Sequence, residues 1–121
     1  MDGALGIEIL EAGEELARGR FEVTDRVRQP YGIVHGGAYA TMAETICSAT
    51  TALAVFSDGM IAMGQSNHTT FLRPVTEGHV HAEGRPLHRG RTSWVWDVDF
   101  TDDEGRRCAT TRVILAVRPT P

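Results

Sequence analysis

The sequence predicts an α+β domain in which one long helix is wrapped by a strongly curved antiparallel sheet of five or six strands. Three observations predict it. Residues 36–56 contain no proline, have no glycine after Gly37 and are rich in alanine, so they read as a helix. Apolar and polar residues then alternate with period two through Val80, Ala82 and Gly84, through Trp94, Trp96, Val98 and Phe100, and through the segment 109–117. The chain has 121 residues, of which 41% are hydrophobic and 23% charged. That is the profile of one domain over residues 1–121, with core enough to fold without disulfides or metal staples.

Residues 5–10 and 15–24 read as two short strands about a turn at Ala12-Gly13. Gln29-Pro30-Tyr31-Gly32 is a turn-forming run that resets the chain direction. The helix comes next. Ala38, Met42, Ala43, Ile46, Cys47 and Val55 leave it apolar around most of its circumference, and the sheet is expected to enclose it. From Ile61 onward the strands follow, with Asp97 and Asp99 on the polar side of the tryptophan strand. Asp102-Asp103-Glu104-Gly105 reads as a tight hairpin, and Ala109, Thr111, Val113, Leu115 and Val117 share one side of the return strand. The helix is the only element available to cover the apolar face of such a sheet.

Several function classes are set aside by charge and composition. Lys and Arg number 12 against 16 Asp and Glu, for a net charge of -4, and the basic residues are scattered, so no nucleic-acid surface is expected. A small anionic ligand is compatible. The N-terminus is acidic and lacks an apolar signal core, and residues 36–56 carry Glu44 among threonines and serines, too polar for a membrane span. Cys47 and Cys108 have no metal or redox spacing and read as buried thiols in a reducing compartment, so the cytoplasm is expected. His79 and His81 lack a third ligand at a recognisable spacing, and no metal is expected. The acidic turn 102–105 lacks the length of a calcium loop, and Trp94 and Trp96 read as core or interface.

Two features carry chemistry. Glu44 is the only formally charged side chain between Arg28 and Asp58, and it stands in the middle of the apolar helix. A carboxylate in such a place is desolvated, hydrogen-bonded or working, because an unpaired buried charge is costly. Ser48, at i+4, shares its face and is within reach of the carboxylate or of a water beside it. The plainer alternative is a solvated Glu44, or one paired with an arginine of a neighbouring subunit. The second feature is His35-Gly36-Gly37 at the helix start, where backbone N–H groups without helical acceptors meet the positive end of the dipole and suit an oxyanion. Its plainer reading is a tight entry turn beside a packed histidine.

Glu44 lies eight residues beyond Gly36, which is about 12 Å along a helix axis. One acyl carbonyl needs an oxygen donor and a nucleophile or base each within about 3 Å. If both groups serve the same carbonyl, the site is shared between two chains.

The run Gln29-Pro30-Tyr31-Gly32-Ile33-Val34-His35-Gly36-Gly37-Ala38-Tyr39-Ala40-Thr41-Met42-Ala43-Glu44-Thr45, then Phe71-Leu72-Arg73-Pro74-Val75 with Glu77-Gly78, then His88-Arg89-Gly90-Arg91-Thr92, resembles the hotdog-fold acyl-CoA thioesterases, most closely the phenylacetate-pathway and 4-hydroxybenzoyl-CoA thioesterase branch. The likeness runs from Gln29 nearly to the end, and departs at Thr70, where relatives often have asparagine.

The resemblance implies a hotdog fold and hydrolysis of a small-to-medium aromatic or aliphatic acyl-CoA to free acid and CoA. It implies Glu44 as nucleophile or general base, Gly36 N–H as oxyanion donor, Gln29 and His35 as positioning groups, and Ser48 as orienting the water or the carboxylate. Gly37, Gly64, Phe71, Leu72, Arg73 and Pro74 would line the substrate and CoA groove, with His88, Arg89, Gly90, Arg91, Thr92 and Ser93, and Arg73, Arg89 and Arg91 are the candidate phosphate partners. No cofactor is implied beyond the CoA of the substrate. The resemblance also implies a homodimer, usually paired into a homotetramer. Met42, Phe56, Met60, Met63 and Phe71 are open between core and acyl-pocket lining. A hydratase or dehydratase of acyl thioesters is the rival enzyme, and a non-catalytic acyl-CoA-binding module is the rival of another class.

Overall fold

A computed structural model of the chain describes residues 6–121. Its strands are β1 (Glu8–Ala12), β2 (Ala17–Glu22), β3 (Met60–Phe71), β4 (His79–Arg89), β5 (Ser93–Thr101) and β6 (Arg107–Pro119). They form one antiparallel sheet in the order β1-β2-β4-β5-β6-β3. The helix α1 (Gly36–Val55) is followed by a short 3-10 turn (Phe56–Asp58), and Gly59, at φ 72°, turns the chain into β3. The six strands and the single long helix match the expected architecture. The first two strands are shorter than expected, with the turn at Gly13 and Leu16, and Leu5 lies outside the described residues.

The period-two pattern decides the core. Phe21, Val80, Trp96, Val98, Phe100, Ala109, Thr111, Val113, Leu115 and Val117 all point inward and are buried, as are Met42, Ala43, Ile46 and Cys47 of α1. Burying a side chain such as Ile46 contributes roughly 1.5–3 kcal/mol. The helix approaches β2 so closely that a β-carbon on Gly19 would stand 3.1 Å from both Met42 and Ile46 side-chain atoms. The buried indole of Trp96 donates to the Thr51 hydroxyl at 3.0 Å, which satisfies both groups. The Asp102 hairpin forms as expected, with Gly105 at φ 78° and Asp102 accepting from the N–H groups of Glu104 and Arg106.

The outer face of the sheet carries a ladder of ion pairs, among them Arg112 on Asp97, Arg107 on Asp99 and Arg85 on Glu83. These exposed pairs keep that face solvated and add little stability.

The sheet wraps α1 but stays open at β3, the last strand in the order, which among the described residues has no neighbour on its far side. Among the described residues nothing covers the helix face beyond that open edge, and Gly37 and Glu44 are exposed there, with Leu53 and Phe56 exposed at the helix end. Met42 is core, whereas Met63 and Phe71 of β3 are exposed.

Candidate active site

The helix start is held by the segment before it. His35 N–H donates to the Val27 carbonyl at 2.6 Å, and Val34 N–H to the Val75 carbonyl at 2.9 Å. The turn 29–32 closes through Gly32 N–H on the Gln29 carbonyl, with Gly32 at φ 86°. Gln29 Oε1 accepts the Tyr31 N–H at 2.7 Å, which leaves its amide nitrogen unpaired among the described residues. His35 is the N-cap residue in extended backbone, with no side-chain cap bond, and Gly36 is the first helical residue. The Gly36 N–H therefore has no acceptor in the helix and faces outward at the positive end of the dipole.

Gly36 also lets an aromatic ring sit against the helix. A β-carbon there would stand 2.6 Å from the Phe71 ring, which packs on Tyr39 at 5.9 Å between centroids. Leu72 and Arg73 follow, their N–H groups donating to the Cys108 carbonyl at 2.9 and 3.1 Å. These elements enclose a groove of about 710 Å³ lined by Gln29, Tyr31, His35, Gly36, Tyr39, Phe71, Leu72, Arg73, Pro74 and Cys108. Most of that lining is apolar, with polar groups at the helix start, a common build for a small-molecule site. A groove of similar size, about 740 Å³, on the outer sheet face is lined by the paired charges of the ladder and lies away from these groups.

Glu44 is not in this groove. Its carboxylate lies over Gly64 of β3, where a β-carbon would stand 2.6 Å from Oε1. Within one chain it is exposed and makes no hydrogen bond or ion pair among the described residues. Of the alternatives that the sequence left open, the single chain shows a solvated Glu44 that faces the open edge of β3 rather than the interior. Ser48, one turn on, is half-buried and makes no hydrogen bond to Glu44.

The segment 88–93 lies in a third place, the β4–β5 hairpin, closed by Gly90 N–H on the Ser93 carbonyl at 2.8 Å, with Thr92 accepting from Val117 and Arg118. A β-carbon on Gly90 would collide with the His88 ring. Arg89 is not a free phosphate partner, because its guanidinium pairs with Glu15 at 2.8 Å and Glu14 at 3.8 Å in the β1–β2 turn. Arg73 and Arg91 are exposed and unpaired among the described residues.

Sequence reasoning missed Tyr39 and Cys108, which both line the groove. Burial pushes both groups up in pKa, so both are protonated at neutral pH. The helical pattern marks Tyr39 as core, and nothing local links it to Cys108. Among the described residues no three potential metal ligands converge, and His81 instead bonds Asp103 at 2.8 Å. None of the described helices is long and apolar enough to cross a membrane.

The model of the thioesterase superfamily matches residues 31–109. The proofreading thioesterase EntH of Cronobacter turicensis is 39% identical over 113 residues, covering 93% of this chain and 82% of its own. A crystal structure of a thioesterase from Haemophilus influenzae superposes with a TM-score of 0.91 at 35% identity, covering 98% of this chain and 82% of that one. A thioesterase from Staphylococcus aureus superposes with a TM-score of 0.92 at 27% identity, covering 98% of each chain. That protein is seen in two alanine variants, one at a glutamine and one at a glutamate fifteen positions further on.

Proposed function

Since this chain belongs to the thioesterase superfamily and is a thioester hydrolase, we propose that it hydrolyses a small-to-medium aromatic or aliphatic acyl-CoA to the free acid and CoA, at a site shared between two copies of the chain. The observation that carries this reading is the separation of two unpaired groups on one helix. Gly36 N–H offers an oxyanion donor at the helix start, and Glu44 offers a carboxylate two turns on, facing the open edge of β3. Neither has a partner among the described residues, and about 12 Å of helix separates them.

A second copy completes the arrangement. Met60–Phe71 is a twelve-residue edge strand without a single Asp, Glu, Lys, Arg or Pro, the devices that ordinarily guard an edge. Pairing β3 with the β3 of a second copy covers the edge and desolvates Glu44. The two helices then run past each other, and Glu44 of one chain comes beside Gly36 of the other. The Staphylococcus aureus variants support Gln29 and Glu44 as the pair to examine, because these two residues stand fifteen positions apart here. Leu53 and Phe56, exposed in the single chain, offer apolar surface for a further pairing of dimers into a tetramer. The cytoplasm is the proposed compartment.

In this reading the thioester carbonyl lies in the groove with its oxygen on Gly36 N–H, while Gln29 and His35 hold it in place. Glu44 of the partner chain then acts in one of two ways. It attacks the carbonyl carbon and expels the CoA thiolate, leaving an anhydride that water opens, or it takes a proton from a water that attacks directly. Ser48 orients that water or the carboxylate. Of the three candidate phosphate partners, Arg73 and Arg91 are unpaired among the described residues and would meet CoA phosphates.

The test is hydrolysis of a panel of aromatic and aliphatic acyl-CoAs by the wild type and by Glu44→Ala. Loss of an essential nucleophile or base costs on the order of a hundredfold or more in kcat. Retained activity in the variant removes Glu44 from its role. Tight acyl-CoA binding without turnover by the wild type makes the chain a binding module.

A further inference from the structure

Asn67 stands in β3 where the strand is exposed on both sides, so packing alone does not call for asparagine. Its Nδ2 donates to the Ala40 carbonyl of α1 at 2.9 Å, and its Oδ1 accepts the Thr69 hydroxyl at 2.9 Å. Thr69 shares a hydrogen bond of 2.9 Å with the Thr111 hydroxyl. Thr111 is a buried β6 residue directly opposite Thr69 in the strand register. A chain of polar contacts thus runs from the sheet interior, along the edge strand, to the helix.

Ala40 lies one turn before Glu44, and its carbonyl is the helical acceptor for the Glu44 N–H. That carbonyl is satisfied without Asn67, so the extra bond rescues no orphaned group. What it fixes is the position of this helical turn along β3. The same strand supplies Gly64, three residues earlier, against which the Glu44 carboxylate lies. Helix and strand are therefore pinned together beside the one carboxylate of α1.

We propose that Asn67 is a positioning residue for thioester hydrolysis, holding the Ala40 turn of α1 on the edge strand so that Glu44 stays over Gly64. The inference rests on the reading of Glu44 given above, and it gives Asn67 no contact with substrate. A reacting group misplaced by about 1 Å loses up to a hundredfold in rate, so a fixed helix register matters to turnover.

The test uses three variants of the full chain. Asn67→Asp keeps the shape but replaces the donor with an oxygen facing the Ala40 carbonyl. Thr69→Val removes the hydroxyl that orients Asn67, and Thr69→Ser keeps it. Steady-state hydrolysis of an acyl-CoA turned over by the wild type is measured for each, with thermal melting and amide hydrogen exchange over residues 41–48. The expected result for Asn67→Asp is a fall in kcat of about tenfold or more with KM within about twofold, and faster exchange over 41–48. Thr69→Val shows part of that loss, and Thr69→Ser restores near-wild-type kcat. A raised KM at unchanged kcat makes Asn67 a substrate contact and overturns the proposal. So does unchanged kcat per folded molecule, whatever the melting temperature. If Asn67→Asp does not fold, Thr69→Val against Thr69→Ser decides: equal kcat in the two overturns it. If the wild type hydrolyses no acyl-CoA, the hydrolase reading fails separately, and unchanged exchange over 41–48 in Asn67→Asp then overturns the pinning role.

Discussion

The Glu44 carboxylate occupies the space that a side chain on Gly64 would need: a β-carbon there meets Oε1 at 2.6 Å and the carboxyl carbon at 3.0 Å. The residue that gives way is the free end of a flexible side chain, so Gly64→Ala should fold, with a melting temperature close to that of the wild type. The carboxylate must move, however, and kcat should fall by about tenfold or more, as expected when a reacting group is displaced. Melting curves and steady-state kinetics on one preparation check both halves.

Gly36 permits a sharper test, because it is the first residue of the helix and proline is at home there. His35, at φ -65° and ψ 134°, already has the backbone that precedes a proline. Gly36→Pro removes the N–H, whereas Gly36→Ala keeps it and displaces the Phe71 ring in the same way. If that N–H grips the oxyanion, the proline variant should lose about a hundredfold or more in kcat relative to the alanine variant, the usual effect of losing one such donor. Equal kcat in the two would remove Gly36 N–H from the chemistry.

Glu15 competes for Arg89 with any anionic ligand, since the two side chains pair at 2.8 Å on an exposed surface. Glu15→Gln combined with Glu14→Gln, which together remove both carboxylates that hold Arg89, should free the guanidinium and lower KM for acyl-CoA by roughly twofold to fivefold at low ionic strength, an effect that added salt erases. Arg91→Ala should raise KM. A KM for that double variant matching the wild type at every salt concentration would return Arg89 to a purely structural role.

Asp102 predicts an acid-sensitive turn. Burial pushes its carboxyl up, but the N–H and guanidinium of Arg106 and the N–H of Glu104 outweigh burial and hold it below the ordinary 3.8. A carboxyl lowered in the folded state contributes stability above its unfolded value, and loses it as pH falls through the folded one. The melting-temperature gap between the wild type and Asp102→Asn should therefore be widest at neutral pH and close as the pH drops below 3.8. Melts in stepped acidic buffers measure it, and a constant gap would contradict the assignment.

What could be read in advance follows from how local each signal is. The alternation Ala109, Thr111, Val113, Leu115 and Val117 is a property of one strand, and every one of those residues is buried. The helix and the turns at Gly32 and Gly105 are equally local. The exposure of Glu44 is not, because it depends on β3 pairing with β6 and ending the sheet, a pairing that no period reveals. The segment Met60–Phe71 shows no clean alternation, since both of its faces are open along most of its length. Arg89 could be marked as a cation from its sequence context, but its capture by Glu15 depends on the β1–β2 turn meeting the end of β4. Asn67 and Ala40 meet only when the edge strand lies along the helix. Where a candidate residue stands was legible, and what stands next to it was not.

The claim that one thioester is worked on by two chains is tested most directly by mixing Glu44→Ala subunits with Gly36→Pro subunits after reversible dissociation. Each variant alone lacks one half of every site. In a mixed dimer, however, one site combines Glu44 of one chain with Gly36 of the other, both intact. Random reassociation in equal amounts should restore about a quarter of the wild-type sites, because half of the dimers are mixed and each holds one whole site. Recovery of activity toward that level is the predicted result, and a mixture no more active than its parents, despite demonstrated exchange of subunits, would contradict the account.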